Sequence, residues 1–138
     1  MKNSIAERIT DFIKNYPPFD NLSYKEIYKL AAETNVLYLD KDETMYSQGK
    51  PHTDFFYIVN QGAIRLYRQD GEKTIEVEMC DEGDVFGLRP LIVNENYNLN
   101  AKAYEESIVY AIPIKIFNEQ VENNSEVSKY LITRFASN

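Results

Sequence analysis

The 138 residues contain one cysteine, one histidine and no tryptophan. Cys80 alone cannot close an internal disulfide, which excludes a disulfide-stapled scaffold and points to a reducing compartment, the cytoplasm. A metal centre draws several imidazoles, thiolates and carboxylates together, and His52, in a turn after Pro51, is the lone imidazole. We expect it to be solvated and assign no metal ligand. Base-activated nucleophilic catalysis fails on the same count. Cys80 neighbours Asp81 and Glu82, whose charge disfavours a thiolate, so a half-buried structural thiol is expected, and we assign no catalytic residue. The paired carboxylates (Asp81/Glu82/Asp84, Glu105/Glu106, Asp40/Asp42/Glu43) fall in turns and read as solvated. Cations number 15 against 22 anions, a net charge of -7, so this segment is not expected to contact nucleic acid or an anionic membrane directly. No apolar run approaches the roughly 20 residues that span a bilayer, and the N-terminus does not read as a secretory signal.

What the chain does have is aromatic: 11 tyrosines and 7 phenylalanines, a load that suits packed strands. Residues 4–15 carry Ile5, Ile9, Phe12 and Ile13 at helical spacing, with Ser4 as the cap and Pro17-Pro18 as the stop. Ser23 and Glu26 form a capping-box pair before Ile27, Leu30 and Ala31, which predicts a second helix. The period then shortens. Strands are expected at 36–39, 45–46, 54–59, 63–67 and 74–79, with 63–67 pairing with the run before it and Asp70-Gly71 turning a hairpin. A short strand at Val85-Phe86, one helical turn within 88–94, and closing strands at 99–103 and 107–112 follow. Pro113 then permits a helix from Ile114, and Val127–Phe135 is also helical. The fold class is therefore mainly β with flanking helices: a double-stranded β-helix, or jelly-roll-like β-roll, of about eight strands with two N-terminal helices and a C-terminal helix. The chain is expected to be a single domain over 1–138. It stops while its pattern is still helical, so we expect an N-terminal fragment of a longer protein.

Neither a G-x-G-x-x-G sequence nor a P-loop is present. All five glycines sit at turn positions. Gly87 stands apart because it leads into Leu88-Arg89-Pro90-Leu91, where the start of a helical turn exposes N–H groups and Arg89 can add a charge-assisted hydrogen bond to an anion. From these residues alone two readings stay open: an anion-binding loop, or a bend with a solvated arginine.

Tyr46-Ser47-Gln48-Gly49, Phe56–Tyr67 (with Asn60-Gln61-Gly62 at its centre) and Glu82-Gly83-Asp84-Val85-Phe86-Gly87 together resemble the cyclic-nucleotide-binding domain, the family of the catabolite activator protein and the regulatory subunits of protein kinase A. The resemblance covers roughly residues 20–135. It implies a regulatory ligand-sensing domain, not an enzyme, with a nucleotide ligand held in a phosphate binding cassette formed here by Phe86, Gly87, Leu88, Arg89, Leu91, Tyr97, Asn98 and Leu99. It also implies signalling by movement of the cassette against the C-terminal helix. In that family the cassette opens with Phe-Gly-Glu, whose Glu holds the ribose 2′-hydroxyl, and closes with an Arg that pairs with the cyclic phosphate. Here Leu88 stands at the Glu position, and the Arg position falls at Tyr97 or Asn98. Arg89 or Lys102 would compensate only by pointing inward. Binding of cAMP or cGMP by the usual anchors is therefore not expected. From Cys80 to Leu91 and from Ala101 to Pro113 the chain is also similar to bacterial proteins that place such a domain before paired CBS domains and a nucleotidyltransferase-like region. That similarity implies downstream domains of the same chain as partners and a homodimer through the C-terminal helix. The alternatives are a structural or interaction module in which Leu88 and Tyr97 fill the old pocket, and the effector domain of a catabolite-activator-type transcription regulator without its DNA-binding part.

Overall fold

A computed structural model describes residues 3–137, with the side chains of residue 132 and residues 134–137 left aside. The chain divides into two compact units, residues 1–35 with 112–138, and residues 36–111.

The first unit is helical. Helix α1 spans Ser4–Ile13 and buries Ala6, Ile9, Thr10 and Ile13; of the stripe that the spacing predicts, Ile9 and Ile13 turn inward, Phe12 is half-buried and Ile5 is exposed. Its cap is Asn3, not Ser4: the Asn3 carboxamide oxygen accepts from the Ala6 N–H, which places Ser4 inside the first turn. A short 3-10 turn at Phe19–Asn21 follows, which hydrophobic period cannot announce in three residues. Helix α2 is Tyr24–Ala31, and its capping box is complete: Glu26 N–H donates to Ser23 Oγ, and Ser23 N–H to the Glu26 carboxylate.

The second unit holds eight strands in two four-stranded sheets. In chain order they are β1 (Asn35–Leu39), β2 (Thr44–Tyr46), β3 (Phe55–Gln61), β4 (Ile64–Asp70), β5 (Lys73–Cys80), β6 (Val85–Phe86), β7 (Asn100–Ala103) and β8 (Ser107–Pro113), the last running into the helical unit. The sheets are ordered β1-β8-β3-β6 and β2-β7-β4-β5. This is the expected roll, with one correction. β3 and β4 do not pair with each other: they lie in different sheets, β3 antiparallel to β6 and β4 between β5 and β7. The bend between them is clamped by Ser107, whose hydroxyl accepts from Ala63 N–H and donates to the Ala63 carbonyl. Gly62 makes that clamp possible: its φ is +92°, and a Cβ there would lie 2.3 Å from Ser107 Oγ. The β4–β5 hairpin turns at Asp70-Gly71 as read from the sequence, with Asp70 opposite Lys73.

The roll's core joins Leu39, Tyr46, Tyr57, Val59, Ile64, Leu66, Phe86, Tyr97, Ala101, Val109 and their neighbours. Cys80 belongs to it and is fully buried, deeper than its place at a strand end suggests.

After β8 come the two helical stretches expected from Ile114 and over 127–135, as α4 (Ile114–Val121) and α5 (Ser125–Ser137). They part at Asn124, whose side-chain oxygen caps the second by accepting from Val127 N–H. Among the described residues no helix is long and apolar enough to cross a membrane.

Candidate functional site

The segment between β6 and β7 is built from its backbone outward. The turn that opens it is tied to β3: Gly83 N–H donates to the Val59 carbonyl, and Val59 N–H to that of Asp84. β6 then lays Phe86 opposite Tyr57. Gly87 follows with φ +75°, and a Cβ on it would stand 2.9 Å from a Tyr57 ring carbon. Only glycine allows this conformation and this approach together.

Leu88 precedes helix α3, Arg89–Val93, a single turn with Pro90 at its second position. Leu88 is buried, Arg89 and Leu91 are half-buried, and Ile92 and Val93 are exposed. The N–H groups of Leu91 and Ile92 both point back to the Leu88 carbonyl, and Pro90 has no N–H to offer. The turn is therefore a poorer anion cradle than Gly87-Leu88-Arg89 suggests in one dimension. Asn94 ends α3 in the left-handed region at φ 53°.

Residues 95–99 then return to β7, and Tyr97 is their anchor. Its ring is only 3% exposed and lies on Tyr46, with ring centroids 3.9 Å apart and planes 9° from parallel. Behind this pair Tyr57 stacks on Phe86 at 5.3 Å, and Tyr46 reaches both at 6.2 and 6.4 Å. The Tyr97 hydroxyl accepts from Thr53 N–H at 3.2 Å, and the Thr53 hydroxyl sits 3.1 Å from that of Tyr57. Burial is the main force on the phenols: it holds Tyr46 well above the usual tyrosine range and pushes Tyr57 up to about 12. Both therefore stay protonated and neutral at any physiological pH.

The backbone seals the arrangement. Tyr97 N–H donates to the Lys50 carbonyl and Gly49 N–H to that of Tyr97, while Asn96 Nδ2 donates to the Gly49 carbonyl. One turn further on, Asn100 and Gln48 exchange a second pair of hydrogen bonds. The Tyr46–Gly49 motif and the 86–99 segment, some 50 residues apart, are thus one site. His52 joins it, with Nδ1 2.7 Å from the Thr53 carbonyl and Nε2 3.1 Å from Asn94 Oδ1. Expecting a solvated turn residue there misses its part as a clasp.

Of the eight residues assigned from the sequence, Phe86 and Tyr97 share the roll's core, Leu99 packs against the same core, and Leu88 is buried. Asn98 is exposed, so between the two positions read for the second anchor it is Tyr97 that turns inward. Lys102 does not replace the missing cation: in β7 it alternates with buried Ala101 and Ala103 and so faces the other side of the sheet. Sequence reasoning overlooked Tyr46, Thr53, Tyr57, His52 and Asn94 as parts of the site. The tyrosine excess was the one available signal, since a tyrosine buried in a strand must find a partner for its hydroxyl.

The model of the cyclic nucleotide-binding domain matches residues 36–124. The chain is 30% identical over 90 residues, 64% of its length, to the cGMP-dependent protein kinase egl-4 of Caenorhabditis elegans, and that stretch is 11% of the kinase. Among solved structures it is similar to the sensor domain of the transcriptional regulator DNR from Pseudomonas aeruginosa, with a TM-score of 0.85 at 21% identity, covering 97% of this chain and 90% of that one. It is also similar to the regulatory domain of Toxoplasma gondii PKA, solved with cAMP, with a TM-score of 0.83 at 25% identity, covering 97% of this chain and 50% of that one.

Proposed function

Because this chain belongs to the cyclic nucleotide-binding domain family, we propose that it is a regulatory ligand-sensing domain whose cassette has departed from the usual nucleotide chemistry. The observation that carries this reading is Tyr97. The bend at Phe86-Gly87 is kept, yet the two positions at which the family pattern sets a carboxylate and a guanidinium hold the buried side chains of Leu88 and Tyr97. A hydrogen bond to a charged group contributes about 1.5–3 kcal/mol. Losing both anchors therefore costs about 3–6 kcal/mol, roughly a hundred- to ten-thousandfold in affinity.

Isothermal titration of the full chain with cAMP and cGMP tests this. No saturable binding is expected at concentrations of a few micromolar, where a site reduced by that factor stays nearly empty. Saturable micromolar binding of either nucleotide would show that the usual cassette survives. The same titration with cyclic dinucleotides asks whether a larger nucleotide is the ligand.

The buried stack also favours a second reading. A pocket filled by its own side chains, Tyr97 at 3% and Leu88 at 5% exposure, is what an interaction module that has lost its ligand would show. The two readings differ on whether the 94–99 segment can leave the roll.

A further inference from the structure

Within that reading of the cassette as a ligand site, Tyr97 is bound the way a ligand is bound. Its ring lies flat on Tyr46 at 3.9 Å and 9°, the stacked contact a planar guest makes against an aromatic wall. Its one polar atom meets a backbone donor, Thr53 N–H, with the Thr53 hydroxyl 3.4 Å away. The partners of the ring and its oxygen named so far carry no charge: a phenol face, an amide and a hydroxyl. The Tyr57 hydroxyl, which shares Thr53 Oγ1 with it, is neutral too.

The segment that carries Tyr97 is not a strand. It leaves the end of α3 at a left-handed Asn94 and stays irregular until Asn100. Apart from Glu95 N–H, which donates back to the Pro90 carbonyl of α3, the bonds that hold it go to the connection after β2: to Gly49 and Lys50 by backbone and by Asn96, to Thr53 through the Tyr97 hydroxyl, and from Asn94 to His52. Asn94, Glu95, Asn96 and Asn98 are exposed, so withdrawal of the segment uncovers buried Tyr97 and the half-buried Leu99.

We infer that Tyr97 is a self-supplied occupant of the slot over Tyr46, and that the slot's ligand is a neutral planar aromatic molecule with a hydrogen-bond acceptor at its inner end, which enters by displacing Tyr97. The class follows from the lining. A flat aromatic wall selects a ring, the Thr53 N–H selects an acceptor, and the uncharged Tyr46 ring, Thr53 amide and Thr53 hydroxyl leave an anion without compensation for its lost hydration.

Two measurements on the full chain test this, and neither uses a cyclic nucleotide, so their failure is separate from that of the titration above. The first is native-state amide exchange on the unmodified protein. The Tyr97 and Gly49 amides, which bond across the segment, are expected to exchange at least about tenfold faster than the Val59 amide on β3, by a local opening. Exchange of all three at the rate of global unfolding would make Tyr97 an ordinary core residue and overturn the inference. The second is Tyr97→Ala probed with 4-methylphenol, the side chain it has lost, because an apolar-walled cavity left by a deleted side chain can take up a matching small molecule. Saturable 1:1 binding is expected, at least about tenfold tighter than to the unmodified chain and than binding of 4-methylbenzoate to the same variant. Equal binding of the anion, or no binding of the phenol to folded Tyr97→Ala, would overturn the assigned class. Should the alanine variant not fold, Tyr97→Leu is probed the same way, with the exchange measurement standing on its own.

Discussion

At the scale of single residues, the site turns on a glycine and a tyrosine. Gly87 combines φ +75° with a Tyr57 ring carbon 2.9 Å from where a Cβ would sit. Gly87→Ala therefore meets two penalties: about 1–2 kcal/mol for a side chain in the left-handed region and about 1–3 kcal/mol for overpacking against the ring. Urea denaturation is expected to show a loss of about 2–5 kcal/mol, and a loss below about 0.5 kcal/mol would mean the bend does not hold the stack. Tyr97→Phe isolates the hydroxyl. It removes the acceptor for Thr53 N–H while leaving the ring on Tyr46, so it should cost about 0.5–1.5 kcal/mol, the range of one neutral hydrogen bond. A neutral result in the same denaturation experiment would make the ring the whole of the anchor. The glycine was legible in the sequence because its neighbours spell a recognisable bend. Tyr97 was legible only as a departure from a pattern, since nothing in Asn96-Tyr97-Asn98 says which of the two candidate side chains turns inward.

At the scale of elements, the clasp between the 94–99 segment and the connection after β2 contains the chain's only histidine. The two His52 ring nitrogens both face carbonyl-type oxygens, of Thr53 and of Asn94. A neutral imidazole can donate to one of them, an imidazolium to both. The Thr53 carbonyl, the Asn94 side chain and the nearby Asp54 charge accordingly raise the His52 pKa above its ordinary 6.5, against a smaller opposing effect of burial. A raised folded-state pKa means the proton is held more tightly in the folded protein. The clasp's contribution is then complete below the ordinary value and is lost as pH rises through the folded one. NMR titration of the single imidazole should give a pKa above 6.5, and Asn94→Ala should lower it. A midpoint at or below the ordinary value, unmoved by Asn94→Ala, would remove His52 from the clasp. None of this was readable from the chain, because His52 and Asn94 are 42 residues apart and Pro51-His52-Thr53 looks like any polar turn.

At the scale of the whole molecule, the order and type of nearly every element followed from period and punctuation, since amphipathic stripes and alternation are local properties of the chain. Sheet partnership is not local. β3 and β4 are adjacent in sequence and both apolar on one face, and a three-residue turn between them reads as a hairpin. The Ser107 hydroxyl, 44 residues from Ala63, is what fixes the bend that sends β4 to the other sheet. The roll itself is shared with relatives as distant as the Toxoplasma gondii regulatory domain, at 25% identity, whose structure is solved with cAMP. On the function proposed above, Leu88 and Tyr97 are the pair of side chains that turn this roll from nucleotide chemistry.

Restoring that pair is the most direct test. The double variant Leu88→Glu with Tyr97→Arg returns a carboxylate and a guanidinium to the bend and removes the ring from Tyr46. Isothermal titration of the folded double variant with cAMP is expected to show saturable binding, at least about a hundredfold tighter than to the unmodified chain, the lower bound of what two charged hydrogen bonds contribute. A folded double variant that stays silent would show that the cassette's departure from nucleotide chemistry does not lie in Leu88 and Tyr97, and would contradict the account at its centre.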